Sequence, residues 1–257
     1  MKPFYRILLL SAMLANIAVG QSAATRAMIE RARSYLGSES ALNAMQSVHY
    51  TGTLVSTRSR GEESESTVAD IEIIFAKDYR QRIEVNSPTN SEVTALDDYE
   101  GWQRQANPAD LSQWRVSLLG AEQIKRLRAN TWENLWFFGD IDRRGGEIRD
   151  FGVVDFEGRR LHKIAFAHSS AIVFYRYFNP TTGRLEVTET ENGARITEEG
   201  ETIVDGIRFP RKVTTINTFR DSTGLEEVRK VEVTFESVIL NARHSSELFA
   251  VPSMTRM

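Results

Sequence analysis

The chain has no cysteine. That excludes a disulfide framework, a thiol nucleophile, cysteine-ligated zinc and a lipid-modified N-terminal cysteine. It has no run of bases, and its formal net charge is −3 over 257 residues, so no nucleic-acid partner is expected. The G-x-S-x-G elbow, the H-E-x-x-H pair, the G-x-x-x-x-G-K-[ST] loop and the G-x-G-x-x-G turn are all missing. Beyond the first 24 residues no apolar stretch reaches membrane-spanning length. No fixed-period repeat and no dividing linker appears either.

What is present is ordinary for a globular protein: 41% hydrophobic and 26% charged residues. The length suits one large domain with a real core. Lys2 and Arg6 form a basic start, Ile7 to Val19 a short apolar run, and Ala18-Val19-Gly20 or Ser22-Ala23-Ala24 a small-residue cleavage site. Residues 1–24 therefore read as a secretory signal peptide, and 25–257 as a single domain. Losing Lys2 and Arg6 and no acid takes the net charge to −5. Export without disulfides or a lipidated cysteine predicts a soluble periplasmic protein.

Most of the mature chain is written in strand chemistry. Phe178-Asn179-Pro180-Thr181-Thr182-Gly183-Arg184-Leu185 and Asp205-Gly206-Ile207-Arg208-Phe209-Pro210 read as tight turns between runs rich in Val, Ile, Thr, Phe and Tyr. Val48, Tyr50, Gly52 and Leu54 alternate with wetter neighbours on one strand, and Ile71, Ile73 and Phe75 share a face of the next. Arg58 to Ser66 reads as an exposed loop between them. Val231, Val233, Phe235 and Ile239 are expected on one face of a last long strand. Two helices precede all the strands. Met28, Ile29, Ala32, Tyr35 and Leu36 mark the first, with Thr25 as N-cap, and Ser38 caps the second. A third helix is predicted within Leu118 to Phe138, stopped by Gly139. The fold class is thus α+β, mostly antiparallel β.

No catalytic residue, no metal ligand set and no cofactor is expected. His162 and His168 share a strand face, but six residues separate them by about 20 Å, too far to share a metal. All four histidines are expected to be exposed or on edge strands. Glu62-Glu63 and Asp97-Asp98 fall in predicted turns, where nothing desolvates one partner of a dyad. The basic pairs Arg143-Arg144 and Arg159-Arg160 read as solvated loop and strand-end charges, though such pairs also suit acidic groups or lipid headgroups. Trp132, Leu135, Trp136, Phe137 and Phe138 concentrate aromatic surface at one end of the third helix. They read as core or as a hydrophobic lid over a sheet, with Tyr50, Leu54, Ile73 and Phe75 as the facing wall of an apolar site.

The order of parts resembles a known family. An exported helix ending Tyr35-Leu36-Gly37 is followed by Ala41-Leu42-Asn43-Ala44-Met45 running into Val48-His49-Tyr50-Thr51-Gly52. An acidic turn precedes Gly101-Trp102. The two turns quoted above follow, and then Glu247-Leu248-Phe249-Ala250-Val251-Pro252 closes the chain. This resembles the LolA-like superfamily of periplasmic lipoprotein carriers and outer-membrane lipoprotein-sorting proteins. The resemblance implies a half-open β-barrel wrapped around a few helices, with an apolar interior. It also implies a lipid or acylated lipoprotein as partner and a membrane-bound donor or acceptor. No arginine here stands in a motif that matches the carriers' ligand-gating arginine. The expectation is a non-catalytic carrier. The alternative is a structural or sensory interaction module of the cell envelope without cargo.

Overall fold

A computed structural model describes residues 22–220 and 224–252. The expected leader, apart from its last three residues, lies outside them. The chain opens with helices α1 (Ala23–Leu36) and α2 (Glu39–Ala44). Six strands follow: β1 (Ser47–Arg60), β2 (Glu63–Ala76), β3 (Arg80–Asn86), β4 (Ser91–Asp97), β5 (Glu100–Asn107) and β6 (Asp110–Leu118). Helix α3 (Ala121–Leu135) and a 3-10 turn at Ile141–Arg144 interrupt them. Then come β7 (Glu147–Phe156), β8 (Arg159–Ser169), β9 (Ile172–Phe178), β10 (Leu185–Thr190) and β11 (Arg195–Glu199). Last are β12 (Thr202–Val204), β13 (Ile207–Phe209), β14 (Lys212–Arg220) and β15 (Glu226–Leu240).

Thirteen strands form one antiparallel sheet in the order β6-β5-β4-β3-β2-β1-β15-β14-β11-β10-β9-β8-β7. Each half is a meander, and the pairing of β1 with β15 joins the halves. The outermost strands β6 and β7 do not pair with each other, so the sheet stays open, as the half-barrel expectation requires. β12 and β13 form a separate hairpin turned by Asp205-Gly206, both at positive φ, as that dipeptide predicts.

The helices fill the curve of the sheet. Met28, Ile29 and Ala32 of α1 pack with Ile164, Phe166 and Phe178. Leu42 of α2 and Leu135 of α3 join Met45, Val48, Phe75 and Ile207 in the other main cluster. Two glycines make this possible. A Cβ on Gly183 would sit 2.5 Å from the Arg31 carbonyl oxygen, so the β9–β10 turn seats directly on α1. A Cβ on Gly52 would meet the Thr234 oxygen at 2.1 Å, where β1 and β15 close on each other.

The structure corrects several expectations. The α1 cap is Ser22, whose hydroxyl accepts from the Thr25 amide; Thr25 itself is buried and donates to Asp150 at 2.7 Å. The charged segment 58–66 is no loop but the far end of the β1–β2 hairpin, turning at Gly61 and laddered by Thr57–Ser66 and Ser59–Ser64 hydroxyl contacts. Polarity alone could not exclude a strand with two wet faces. Ile239 is turned away from Val233 and Phe235, because a bulge opposite Thr51/Gly52 adds a residue to β15 and flips every later side chain.

The third helix is shorter than its sequence window. Leu118 ends a strand, and Phe137 and Phe138 lie beyond the helix at φ 48° and 68°. Two aromatic residues in the left-handed region are strained. Arg33 holds them there, donating from Nη1 to the carbonyls of Trp136 and Phe137, 2.9 Å each.

Candidate functional site

Between the concave sheet face and the end of α3 lies a cavity of about 330 Å³. Its walls are chiefly apolar. Tyr50 of β1, Ile73 and Phe75 of β2, and Phe235 of β15 form one side, with Phe209 of the small hairpin above Tyr50 at 6.0 Å between ring centres. Ile196, Val213 and Leu185 continue the wall across the other half of the sheet. Phe137 and Phe138 enter from the strained turn after the helix. Of the nine predicted site residues, five line this space: Tyr50, Ile73, Phe75, Phe137 and Phe138.

Trp132, Leu135, Trp136 and Leu54 do not line it. One residue along a helix is about 100° around it. Asn130, Glu133 and Asn134 therefore face the cavity, while Trp132 and Trp136 lie on another side. The two indoles stack face to face, 3.9 Å apart at 7°. Tyr79 stacks beside both, and Arg144 and Lys77 lie over the indole rings. Leu135 belongs to the packed core under α2. The aromatic cluster is thus split: two phenylalanines reach the cavity and two tryptophans hold the helix from outside.

One stretch of the cavity wall is charged, and sequence reading missed it. The side chain of Glu133 of α3 is buried and meets those of Arg176 of β9 and His168 of β8, which are buried as well. Burial alone would raise the Glu133 pKa; Arg176 and His168 outweigh it and hold the carboxyl below the usual range. Arg176 also lies over the rings of Phe138 and Phe166, and its Nε and Nη1 have no hydrogen-bond partner among the described residues. Across the space, Glu198 of β11 has its pKa pushed up by burial, against the pull of Arg176 and Arg184. The Tyr50 hydroxyl is pushed up too, by burial and by Glu198. The cavity therefore offers an apolar chain a long oily wall and a polar stretch of nearly balanced charge. The signal in sequence was only a polar residue at 133 beside the aromatic stripe, with Arg and Glu at inward strand positions.

The histidines also depart from expectation. The His168 side chain is 2% exposed, and His162 pairs with Asp150 at 2.7 Å. His49 and His244, distant in sequence, come within 5.2 Å of each other, and His49 contacts Glu72 at 2.8 Å. Among the described residues no group of three or more His, Cys, Asp or Glu is placed to hold a metal. Among them also, no helix is long and apolar enough to cross a membrane.

The chain is thus an open antiparallel half-barrel with helices in its curve and a largely apolar space between them. The same fold occurs in a LolA superfamily protein from Nitrosomonas europaea, at TM-score 0.55 and 9% identity over 88% of this chain and 97% of that one. It occurs in a domain from Vibrio parahaemolyticus described as an outer membrane lipoprotein-sorting protein, at 0.52 and 9%, covering 86% and 95%. A DUF1329 family protein from Desulfovibrio piger is similar at 0.52 and 10%, covering 89% and 98%. No family model matches the sequence, and no curated protein is similar to it in sequence. At these identities the likeness establishes the fold, which is LolA-like, and leaves the cargo to be argued from the site.

Proposed function

We propose that this chain is a periplasmic binding protein that holds an acyl chain, of a lipid or a lipoprotein, in the space between sheet and helices without catalysis. The observation that carries this reading is the cavity of about 330 Å³ walled by Tyr50, Ile73, Phe75, Phe137, Phe138 and Phe235. Small-molecule sites run from about 300 Å³ upward, so one chain fits the space as it stands, and several would require the helices to move outward. Each buried methylene contributes about 0.8 kcal/mol before ordering costs. A membrane-bound donor or acceptor completes the cycle in this reading.

Native mass spectrometry of protein taken gently from periplasm, with organic extraction, tests it. A co-purifying lipid or acylated protein is expected. Ile196→Trp, which fills the cavity, should lose at least tenfold in uptake of a fluorescent fatty acid while staying folded. A clean apo mass together with no uptake by the parent protein would remove the carrier reading. The second reading, a protein-interaction module, is supported by the unpaired outer edges of β6 and β7, which expose Trp114, Leu118, Phe151 and Val153.

A further inference from the structure

A second recess, of about 270 Å³, opens on another side of α3. Lys125 and Arg128 of the helix, Arg144 of the 3-10 turn and His168 of β8 line it, with the hydroxyl-bearing Tyr99 and Ser169. Ile124 and Ile172 give it an apolar wall. It shares no lining residue with the acyl cavity, and a site here stands whether or not that cavity holds a lipid.

The charges around it do not cancel. Glu122 meets Lys125 at 2.7 Å, Asp98 meets Arg128, and Glu133 is taken by His168 and Arg176. Arg144 is left over: among the described residues no carboxylate lies within 4.0 Å of its guanidinium. Its Nη1 donates to the Arg128 carbonyl at 3.3 Å, and its Cζ lies 5.1 Å from the ring centres of Tyr79 and Trp132. Burial, and then the like charge of Arg128, push its pKa down, only partly opposed by Tyr79, Tyr99 and the more distant Glu133. A half-buried cation held beside another cation, with spare N–H groups, is a costly arrangement unless an anion comes to it. His168 adds a second unmet polar atom: its Nε2 faces Glu133, and its buried Nδ1 has no hydrogen-bond partner among the described residues.

We infer that this recess binds a phosphate-class anion, free or as the headgroup of an anionic phospholipid, through Arg144 with Lys125 and the hydroxyls of Tyr99 and Ser169. A guanidinium fork, an ammonium and two hydroxyls drawn from four separate segments suit a tetrahedral anion with several oxygens better than a planar carboxylate. The stacking on Tyr79 and Trp132 fixes the guanidinium before the anion arrives, which lowers the ordering cost. The basic pair that reads in sequence as a solvated loop charge is therefore split by the fold: Arg143 stays exposed, and Arg144 is drawn onto the rings.

The test uses the mature full chain at low ionic strength, where surface charge is least screened. Calorimetry follows inorganic phosphate. Flotation compares vesicles of phosphatidylcholine alone with vesicles of phosphatidylcholine and phosphatidylglycerol. Saturable phosphate binding without flotation identifies a free anion; flotation only with phosphatidylglycerol identifies a headgroup. In either case Arg144→Gln should weaken binding about tenfold or more, and Lys125→Gln, at a 60% exposed side chain whose ion pair with Glu122 contributes little to folding, severalfold. Ile196→Trp should bind the anion as the parent does, which separates this site from the acyl cavity. No phosphate binding and no phosphatidylglycerol-selective flotation would overturn the proposal, as would binding unchanged in both charge variants.

Discussion

The helix wall and the sheet wall of the cavity treat the same chemical group in opposite ways. On the helix wall, Glu133 meets Arg176 and His168, and its pKa falls. On the sheet wall, Glu198 has no such partner, and burial raises its pKa. Both carboxyls lie in the electrostatic reach of Arg176. Direct contact, and not burial, decides the sign. The helix wall is thus clamped to the sheet by an ion pair, while the sheet wall keeps a carboxyl that the cavity tolerates best when neutral.

The sharpest way to break this contrast is Glu133→Ala. It leaves Arg176 buried without its counter-ion and His168 without its hydrogen-bond partner, and should cost about 3–5 kcal/mol in urea unfolding. Since the folded pKa of Glu133 is lowered, its contribution is present above the usual carboxylate range and is lost as pH falls through the lowered value. Unfolding midpoints followed downward in pH should show that loss in the parent and a weaker one in Glu133→Gln. Next in size is Trp132→Ala, on the outer side of the same helix. It removes a buried indole stacked on Trp136 and should cost about 3 kcal/mol. Acyl retention by the folded fraction should be unchanged, because Trp132 does not line the cavity. Reduced retention at full folding would return the indoles to the lid role that their position in sequence suggests.

The smallest effect has the other sign. Glu198 has a raised folded pKa, so the stability it permits is full at low pH and falls as pH rises through that value. Glu198→Gln should therefore gain about 1 kcal/mol at neutral pH and flatten the decline. A destabilised Glu198→Gln would mean that the carboxylate is charged and held by a partner, and the two walls would no longer differ.

Strand and helix content was readable because each rests on short-range periodicity. Met28, Ile29 and Ala32, or Val48 and Tyr50, declare their buried faces within a turn or a strand pair. The Asp205-Gly206 hairpin was equally local. The exceptions have causes far away in the chain, which local periodicity does not show. The β15 bulge flips Ile239 outward, and Arg33, from α1, stops α3 three residues before Phe138. The site was legible by half. Tyr50, Ile73, Phe75, Phe137 and Phe138 announce an apolar wall, whereas Glu133, His168 and Arg176 stand on three elements whose meeting depends on the whole sheet.

By itself, the sequence determined a cysteine-free, strand-rich chain with two leading helices and an aromatic third. These follow from composition and from periods of 2.0 and 3.6 residues, which neighbours along the chain express without help. Only the tertiary structure decided that the aromatic cluster would divide between cavity and outer stack, that one carboxyl would sit in an ion pair and the other not, and that Arg144 would stand among the described residues with no carboxylate within 4.0 Å. Those outcomes depend on distances between residues far apart in the chain. Such distances are set when β1 meets β15 and the helices settle into the curve of the sheet.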